Sequence, residues 1–172
     1  VWFNILQEEG VNVWYTAPTA LRMLMLEDAD LYRGYDLRAL KHIFSVGEPL
    51  NPSVIHWVRT VLGKEVYDTW FQTETGAIMI ANKPGMRVKP GSMGKPHHVK
   101  AIILDDDDQV LPPMKQGQLC LEPGWPSMFL TYLNKESIYF QKFSSGYYET
   151  GDVAYQDEEG YFWFFGRGAD VI

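Results

Sequence analysis

The chain has 172 residues, of which 46% are hydrophobic, 15% aromatic and 22% charged, and its formal net charge is −7. This composition excludes disordered and collagen-like proteins, and no apolar run reaches the ~18 to 20 residues of a membrane-spanning helix. No secretory signal is recognisable, and the single cysteine, Cys120, cannot form an internal disulfide. The acidic charge argues against non-specific binding of nucleic acid, which needs a basic surface. We therefore expect a cytoplasmic protein that binds neither nucleic acid nor membranes.

The two ends of the sequence differ from ordinary domain boundaries, which are polar and loosely held. Val1 opens directly inside an amphipathic segment, and residues 170–172 close the sequence without a turn motif. We expect an internal part of a longer protein.

The first half of the chain alternates helices with short strands, which is typical of a parallel sheet. Thr19 and Asn51 are predicted helix N-caps, because their side-chain oxygens can accept hydrogen bonds from free backbone N–H groups, and Pro52 suits the first helical position. Apolar periodicity and breakers predict helices at 1–10, 20–28 and 54–62, and strands at 11–15, 43–46 and 65–67.

After Lys83-Pro84-Gly85 the pattern changes to short β-rich segments separated by Gly, Pro and Asp. Strands are predicted at 99–104, 117–122, 146–149 and 161–165, with a helix at 135–143. The fold class is therefore α/β: part of a parallel α/β subdomain at 1–83, followed by a small antiparallel, barrel-like subdomain at 84–172.

The densest group of polar side chains, Asp68–Gly76, directly follows a predicted strand. Threonine hydroxyls suit phosphate oxygens, a glutamate suits Mg²⁺, and an indole face suits a flat base. The same residues also fit the capped start of a helix with buried aromatic residues beside it. Gly47-Glu48-Pro49 follows another strand, so both segments are expected at the carboxyl ends of the sheet, where ligands of such folds bind.

Five motifs in order, YTAPTALRMLM, SVGEPLNP, DTWFQTETG, PGSMGKP and GYYETGDVAYQDEEGYFWFFGR, carry a resemblance that covers nearly the whole chain. Together they resemble the adenylate-forming superfamily of AMP-binding enzymes, and within it the acetyl-CoA synthetase branch. This resemblance implies an acid–thiol ligase that uses ATP, Mg²⁺ and CoA with acetate as the acid. It also implies that the family's glycine-rich phosphate loop and lysine-bearing C-terminal domain lie outside these residues, so the piece alone is expected to lack activity.

The resemblance assigns roles to individual residues. Gly47, Glu48 and Pro49 match the segment that lines the adenine, and Trp70 matches the aromatic residue that stacks on it. Thr73 matches the residue at the α-phosphate and Glu74 the carboxylate linked to Mg²⁺, and these two are the expected catalytic residues. Further ATP-binding positions implied by the match are Asp68, Thr69, Phe71, Gln72, Asp152 at the ribose hydroxyls, and Arg167 at ribose and phosphate.

Two positions depart from the family pattern. Val46 and Phe71 match walls of the acetate pocket, but the family typically has a second tryptophan where Phe71 stands, so propionate could be tolerated. Ala169 stands where the family has the aspartate about which the C-terminal domain turns, which puts the second half-reaction in doubt. Three alternatives therefore stay open: a synthetase for propionate or another short or medium-chain acid, a non-catalytic nucleotide-binding relative, and a piece that binds nothing.

Overall fold

The computed structural model describes residues 1–168, which divide into two compact units. The first unit comprises Val1–Thr69 and Asn82–Gly91, and the second comprises Trp70–Ala81 and the residues from Ser92 onward. The predicted hinge residue Ala169 lies outside the described residues. Within the described part of the chain, no helix has the length and apolar character that crossing a membrane requires.

The elements are numbered in chain order. The α-helices are α1 Trp2–Glu8, α2 Pro18–Met25, α3 Pro52–Trp57 and α4 Glu136–Gln141. The strands are β1 Val13–Thr16, β2 His42–Ser45, β3 Val66–Trp70, β4 Ile80–Ala81, β5 Lys95–Pro96, β6 Ala101–Leu104, β7 Gly117–Leu121, β8 Tyr148–Gln156 and β9 Phe162–Arg167. Short 3-10 turns lie at Ala29–Gly34 and Thr73–Thr75, and a π-helical turn at Val58–Leu62 continues α3.

The first unit is built on three parallel strands, as the alternating pattern predicts. β1 pairs with β2 and β2 with β3, so that Trp14, Ile43 and Val66 stand side by side on one face of the sheet. These side chains are buried against residues of the three N-terminal helices and their connections. The buried members of this core are Phe3, Leu6, Trp14, Leu21, Tyr32, Leu40, Ile43, Leu50, Val54, Ile55, Val58 and Val66.

Of the two predicted N-caps, one is confirmed and the other is wrong. Asn51 caps α3, because its side chain accepts a hydrogen bond from Ser53 N at 3.0 Å, and Pro52 takes the first helical position. Thr19 does not cap α2, since the helix starts at Pro18, two positions before its predicted start, and Ala17 becomes the cap residue without a side-chain bond. The hydroxyl of Thr19 instead donates a hydrogen bond to the carboxylate of Glu48.

The second unit contains an antiparallel sheet in the order β6-β7-β8-β9. β4 and β5 pair antiparallel, and Gly94, directly before β5, forms a bridge to Phe162 at the start of β9. Among the described residues this sheet stays open, with β6 and β9 at its edges, and does not close into a barrel. The α/β class is confirmed.

The segment Thr150-Gly151-Asp152, which follows the strand predicted at 146–149, is part of the long strand β8. Gln118 pairs with Val153 and Cys120 with Glu149, so three residues of β8 stand opposite the single residue Leu119. Gly151 has a φ of +79°, which gives the chain the local freedom that such a bulge requires. The glycine therefore marks a bulge inside a strand rather than the end of one.

Candidate functional site

The second unit brings Trp70 and Asp152 into direct contact. The indole Nε1–H of Trp70 donates a hydrogen bond to Oδ2 of Asp152 at 2.9 Å. Arg167 forms an ion pair with the other carboxylate oxygen, with 2.9 Å between Nε and Oδ1. The carboxylate side chain is 2% exposed and that of Arg167 is 59% exposed. A buried negative charge is thus paired with a cation that reaches into solvent.

The environment of Asp152 affects its protonation in two opposite ways. Burial raises the pKa of its carboxyl above the ordinary value, because water no longer stabilises the charge. The hydrogen bond from Trp70, the charge of Arg167 and the bond from Gln72 oppose this effect. A carboxylate with such donors is suited to accept hydrogen bonds from ligand hydroxyls through its paired oxygens.

The side-chain amide of Gln72 fixes its segment to strand β8. Its Oε1 accepts from the hydroxyl of Tyr148 at 2.8 Å, and its Nε2 donates to Thr150 O at 3.0 Å and to Asp152 Oδ2 at 3.2 Å. Tyr148, Thr150 and Asp152 alternate along β8 and are all buried. One amide group therefore contacts three successive inward-facing residues of the strand.

The turn Thr73–Thr75 is held by a second segment of the chain. The backbone carbonyl of Glu74 accepts from Phe129 N at 3.0 Å, and its carboxylate Oε1 accepts from the hydroxyl of Tyr132 at 2.7 Å. The carbonyl of Thr75 accepts from Trp125 Nε1 at 2.9 Å and from Ser127 Oγ at 2.7 Å. Glu74 is half-buried and Thr73 is exposed, so both side chains are reachable from solvent.

The predicted adenine segment Gly47–Pro49 lies in the first unit, after β2. Glu48 accepts from the hydroxyl of Thr19 at 2.6 Å and forms an ion pair with Arg22. The bond from Thr19, followed by that from Arg22, lowers the pKa of the Glu48 carboxyl. Gly47 has a φ of +93°, a backbone conformation that favours glycine.

Asp68 and Thr69 lie on β3 and are both buried. Burial raises the pKa of Asp68 to about 8, against the effect of the backbone amides of Thr69 and Leu50. The hydroxyl of Thr69 lies 2.7 Å from Tyr15 Oη and donates to Ser45 O at 2.7 Å. This hydroxyl is therefore used within the first unit to tie β3 to β1 and β2.

The two predicted acyl-pocket residues have different surroundings. Val46 is half-buried at the end of β2, where its backbone N–H donates to Thr16 O at 3.1 Å. Phe71 is 40% exposed and follows β3. Each belongs to a different unit.

Sequence reasoning missed the residues that hold the expected site residues in place: Thr19, Arg22, Trp125, Ser127, Tyr132, Tyr148 and Thr150. Tyr132 is 58 positions from Glu74, and Tyr148 is 76 positions from Gln72. No local spacing pattern links residues that far apart. A tyrosine beside a carboxylate or amide is recognisable only from the fold.

A divalent cation is compatible with Glu74. Among the described residues no group of three or more His, Cys, Asp or Glu side chains could form a complete metal site. Mg²⁺ commonly needs only one or two carboxylates together with phosphate oxygens and water. The half-buried carboxylate of Glu74 is of the chemical type that such a site requires.

The indole of Trp70, the carboxylate of Asp152 and the guanidinium of Arg167 lie in contact, and the turn Thr73–Thr75 follows Trp70 closely in the sequence. A family model described as AMP-binding enzyme matches residues 1–133. The chain belongs to the AMP-binding enzyme family.

The chain is also similar to curated relatives that bear one name. It is 51% identical to the acetyl-coenzyme A synthetase of Bacillus subtilis (strain 168), over 99% of this chain and 30% of the relative. It is 41% identical to that of Shewanella denitrificans, over 98% of this chain and 27% of the relative, and 39% identical to that of Laribacter hongkongensis, over 99% and 28%. The chain thus spans less than a third of the length of these relatives.

Proposed function

We propose that the protein containing this chain is an AMP-forming acetate–CoA ligase. A carboxylate oxygen of acetate attacks the α-phosphorus of ATP, and the bond from that phosphorus to the pyrophosphate oxygen breaks. The sulfur of the CoA thiolate then attacks the carbonyl carbon of acetyl-adenylate, and AMP leaves. The name shared by the relatives at 51%, 41% and 39% identity supports this choice of acid and of thiol.

The observation that carries the proposal is the bonded group Trp70–Asp152–Arg167. The family resemblance assigns these three residues to adenine, to the ribose hydroxyls, and to ribose and phosphate. Trp70 and Arg167 each contact a different oxygen of Asp152, at 2.9 Å in both cases. Residues assigned to adjacent parts of one nucleotide are thus adjacent in space.

The remaining residues are assigned around this group. Thr73 has an exposed hydroxyl that could donate to the α-phosphate, and Glu74 would hold Mg²⁺. When bound, Mg²⁺ neutralises charge on the phosphate oxygens during the transfer. Gly47, Glu48 and Pro49 would line the adenine, and the positions Asp68, Thr69, Phe71 and Gln72 complete the proposed ATP-binding set.

The proposed reaction needs no serine or cysteine nucleophile, because acetate and CoA supply the attacking atoms. The protein positions the reactants and stabilises the charge that develops on phosphate oxygens. Threonine, glutamate, aspartate and arginine side chains are suited to that task. The one cysteine, Cys120, is buried in β7 and takes no part.

The residues assigned to the acid pocket specify acetate less strictly than the residues assigned to the nucleotide specify ATP. Val46 and Phe71 would form two of its walls, and phenylalanine leaves more room than the tryptophan typical of the family. A synthetase for propionate is therefore the second candidate. We propose a cytoplasmic location, where ATP and CoA are present.

The proposed function is tested by product analysis of the full-length protein. Incubated with acetate, ATP, Mg²⁺ and CoA, it should form acetyl-CoA, AMP and pyrophosphate in equal amounts. Formation of ADP and phosphate, or no acetyl-CoA while propionyl-CoA forms from propionate, would contradict the assignment to acetate.

A further inference from the structure

The segment Trp125–Tyr132 fixes the turn that carries Glu74 at successive backbone carbonyls. Phe129 N donates to the carbonyl of Glu74 at 3.0 Å, and Ser127 Oγ donates to the carbonyl of Thr75 at 2.7 Å. The indole of the buried Trp125 donates to the same Thr75 carbonyl at 2.9 Å. The backbone beneath the Glu74 side chain is therefore fixed independently of any ligand.

Tyr132 extends this contact to the side chain itself. Its hydroxyl donates to Oε1 of Glu74 at 2.7 Å, and its ring packs on Phe129 with 5.1 Å between ring centres. Burial, and then the bond to Glu74, raise the pKa of the Tyr132 phenol to about 12. A phenol has an ordinary pKa of about 10, so at neutral pH the hydroxyl keeps its proton and donates to the carboxylate.

The chemical type of this partner matters for cation binding. A lysine or arginine paired with Glu74 would cancel its charge, whereas a phenol orients the carboxylate and leaves the charge in place. Within residues 1–168, Oε2 of Glu74 has no hydrogen-bond partner and the carboxylate forms no ion pair. The hydrogen bond from Tyr132 holds Oε1, and Oε2 stays available to a cation.

We propose that Tyr132 is a positioning residue that orients the Glu74 carboxylate for a divalent cation bound with the nucleotide. The inference rests on the proposed function, in which Glu74 holds Mg²⁺. Ligating carboxylates are commonly fixed by such hydrogen bonds, and their loss lowers metal affinity about 10- to 100-fold.

The test uses the full-length enzyme with Tyr132→Phe, which removes the hydroxyl and keeps the ring that packs on Phe129. The matched control is Tyr139→Phe, since Tyr139 packs on the same Phe129 ring at 5.0 Å and lies on α4. Mn²⁺ serves as the probe: its affinity for the enzyme complexed with a non-hydrolysable ATP analogue is measured from the EPR signal of the free ion. The Mg²⁺ dependence of kcat and of the KM for acetate is measured beside it.

Tyr132→Phe should weaken Mn²⁺ binding about 10-fold, with kcat recovering at high Mg²⁺, while Tyr139→Phe stays at the wild-type affinity. In a Glu74→Gln background, Tyr132→Phe should add no further loss, because the hydroxyl acts through the carboxylate. Wild-type Mn²⁺ affinity in Tyr132→Phe, or an undiminished effect in the Glu74→Gln background, would overturn the inference alone. Wild-type Mn²⁺ affinity in Glu74→Gln would overturn both the inference and the cation role proposed for Glu74.

Discussion

Trp70 and Asp152 are 82 positions apart in the sequence, yet the indole N–H of one donates to the carboxylate of the other at 2.9 Å. The hydrogen bond fixes the edge of the indole, and Trp70 as a whole is half-exposed. It also compensates part of the cost of burying the carboxylate, since buried charges need hydrogen-bonding partners. One contact thus orients the proposed base-stacking surface and also stabilises the proposed ribose acceptor.

A double-mutant cycle on this pair should show strong coupling. Trp70→Phe keeps an aromatic face but removes the N–H donor, and hydrogen bonds to charged groups contribute about 1.5 to 3 kcal/mol. We expect each of Trp70→Phe and Asp152→Asn to weaken AMP binding about 10-fold or more, and the double variant to lose less than the product of the two. Isothermal titration calorimetry of the full-length protein with AMP measures all four affinities.

Trp163→Phe is the control for this cycle. Trp163 also donates its indole N–H to a carboxylate, Asp157 Oδ2, at 3.2 Å, but neither residue belongs to the proposed site. Its AMP affinity should stay within about 2-fold of wild type. Fully additive losses for Trp70→Phe and Asp152→Asn would show that the bond does not couple the two residues in nucleotide binding.

Gly76→Ala should destabilise the protein more than Gly63→Ala. The two glycines have nearly equal φ angles, +64° and +62°, so both variants carry the cost of a side chain in the left-handed region, about 1 to 2 kcal/mol. A Cβ on Gly63 would meet nothing within 4 Å, whereas one on Gly76 would collide with the backbone carbonyl of Ser127. We expect an additional loss of about 1 to 3 kcal/mol for Gly76→Ala in urea unfolding. Equal losses would mean that the contact between Gly76 and Ser127 is loose.

Asp68→Asn should change how stability depends on pH. The folded-state pKa of Asp68, about 8, lies above the ordinary value of 3.8, so folding favours the protonated form. The stability contributed by the neutral carboxyl is complete below about pH 4 and is lost as the pH rises towards about 8, by at most about 1.4 kcal/mol per pH unit. Asparagine does not titrate, so the stability of Asp68→Asn relative to wild type should increase between pH 5 and pH 8. Urea midpoints that differ by a constant amount across this range would contradict it.

Phe71→Trp should increase the preference for acetate over propionate. A larger ring in the proposed pocket would exclude the additional methylene of propionate, and such discrimination amounts to about 1 to 3 kcal/mol. The ratio of kcat/KM for the two acids should therefore rise about 10-fold or more. Phe165→Trp, on the exposed side of β9 where Phe165 is 54% exposed, should leave the ratio unchanged. An unchanged ratio in Phe71→Trp would show that Phe71 does not line the acid pocket.

Local sequence chemistry predicted the elements well where neighbours along the chain decide the structure. The Asn51-Pro52 start of α3 depends only on adjacent residues, and it is confirmed. Thr19 shows the limit of such prediction, because the helix starts two positions before its predicted start and the Thr19 hydroxyl donates to Glu48, 29 positions away. Gly151 shows the same limit of local prediction, since a glycine within a bulge and a glycine within a turn look alike in the sequence.

The candidate site shows the same difference between what local sequence predicts and what the fold supplies. Motif resemblance located Trp70, Gln72, Asp152 and Arg167, and the structure brings these four together. The residues that hold them are supplied by strands and segments distant in the sequence, as with Tyr148 for Gln72 and Tyr132 for Glu74. Predicting those contacts requires the register of β8 and the path of the chain from Trp125 to Tyr132, which no local pattern contains.

The most direct test of the account is acetate-dependent exchange of labelled pyrophosphate into ATP by the full-length protein. This exchange isolates the adenylation step, in which Thr73 and Glu74 are assigned, from the later transfer to CoA. We predict exchange that requires acetate and Mg²⁺ and is lost in Glu74→Ala. Exchange that proceeds without acetate, or that persists in Glu74→Ala, would contradict the proposed site.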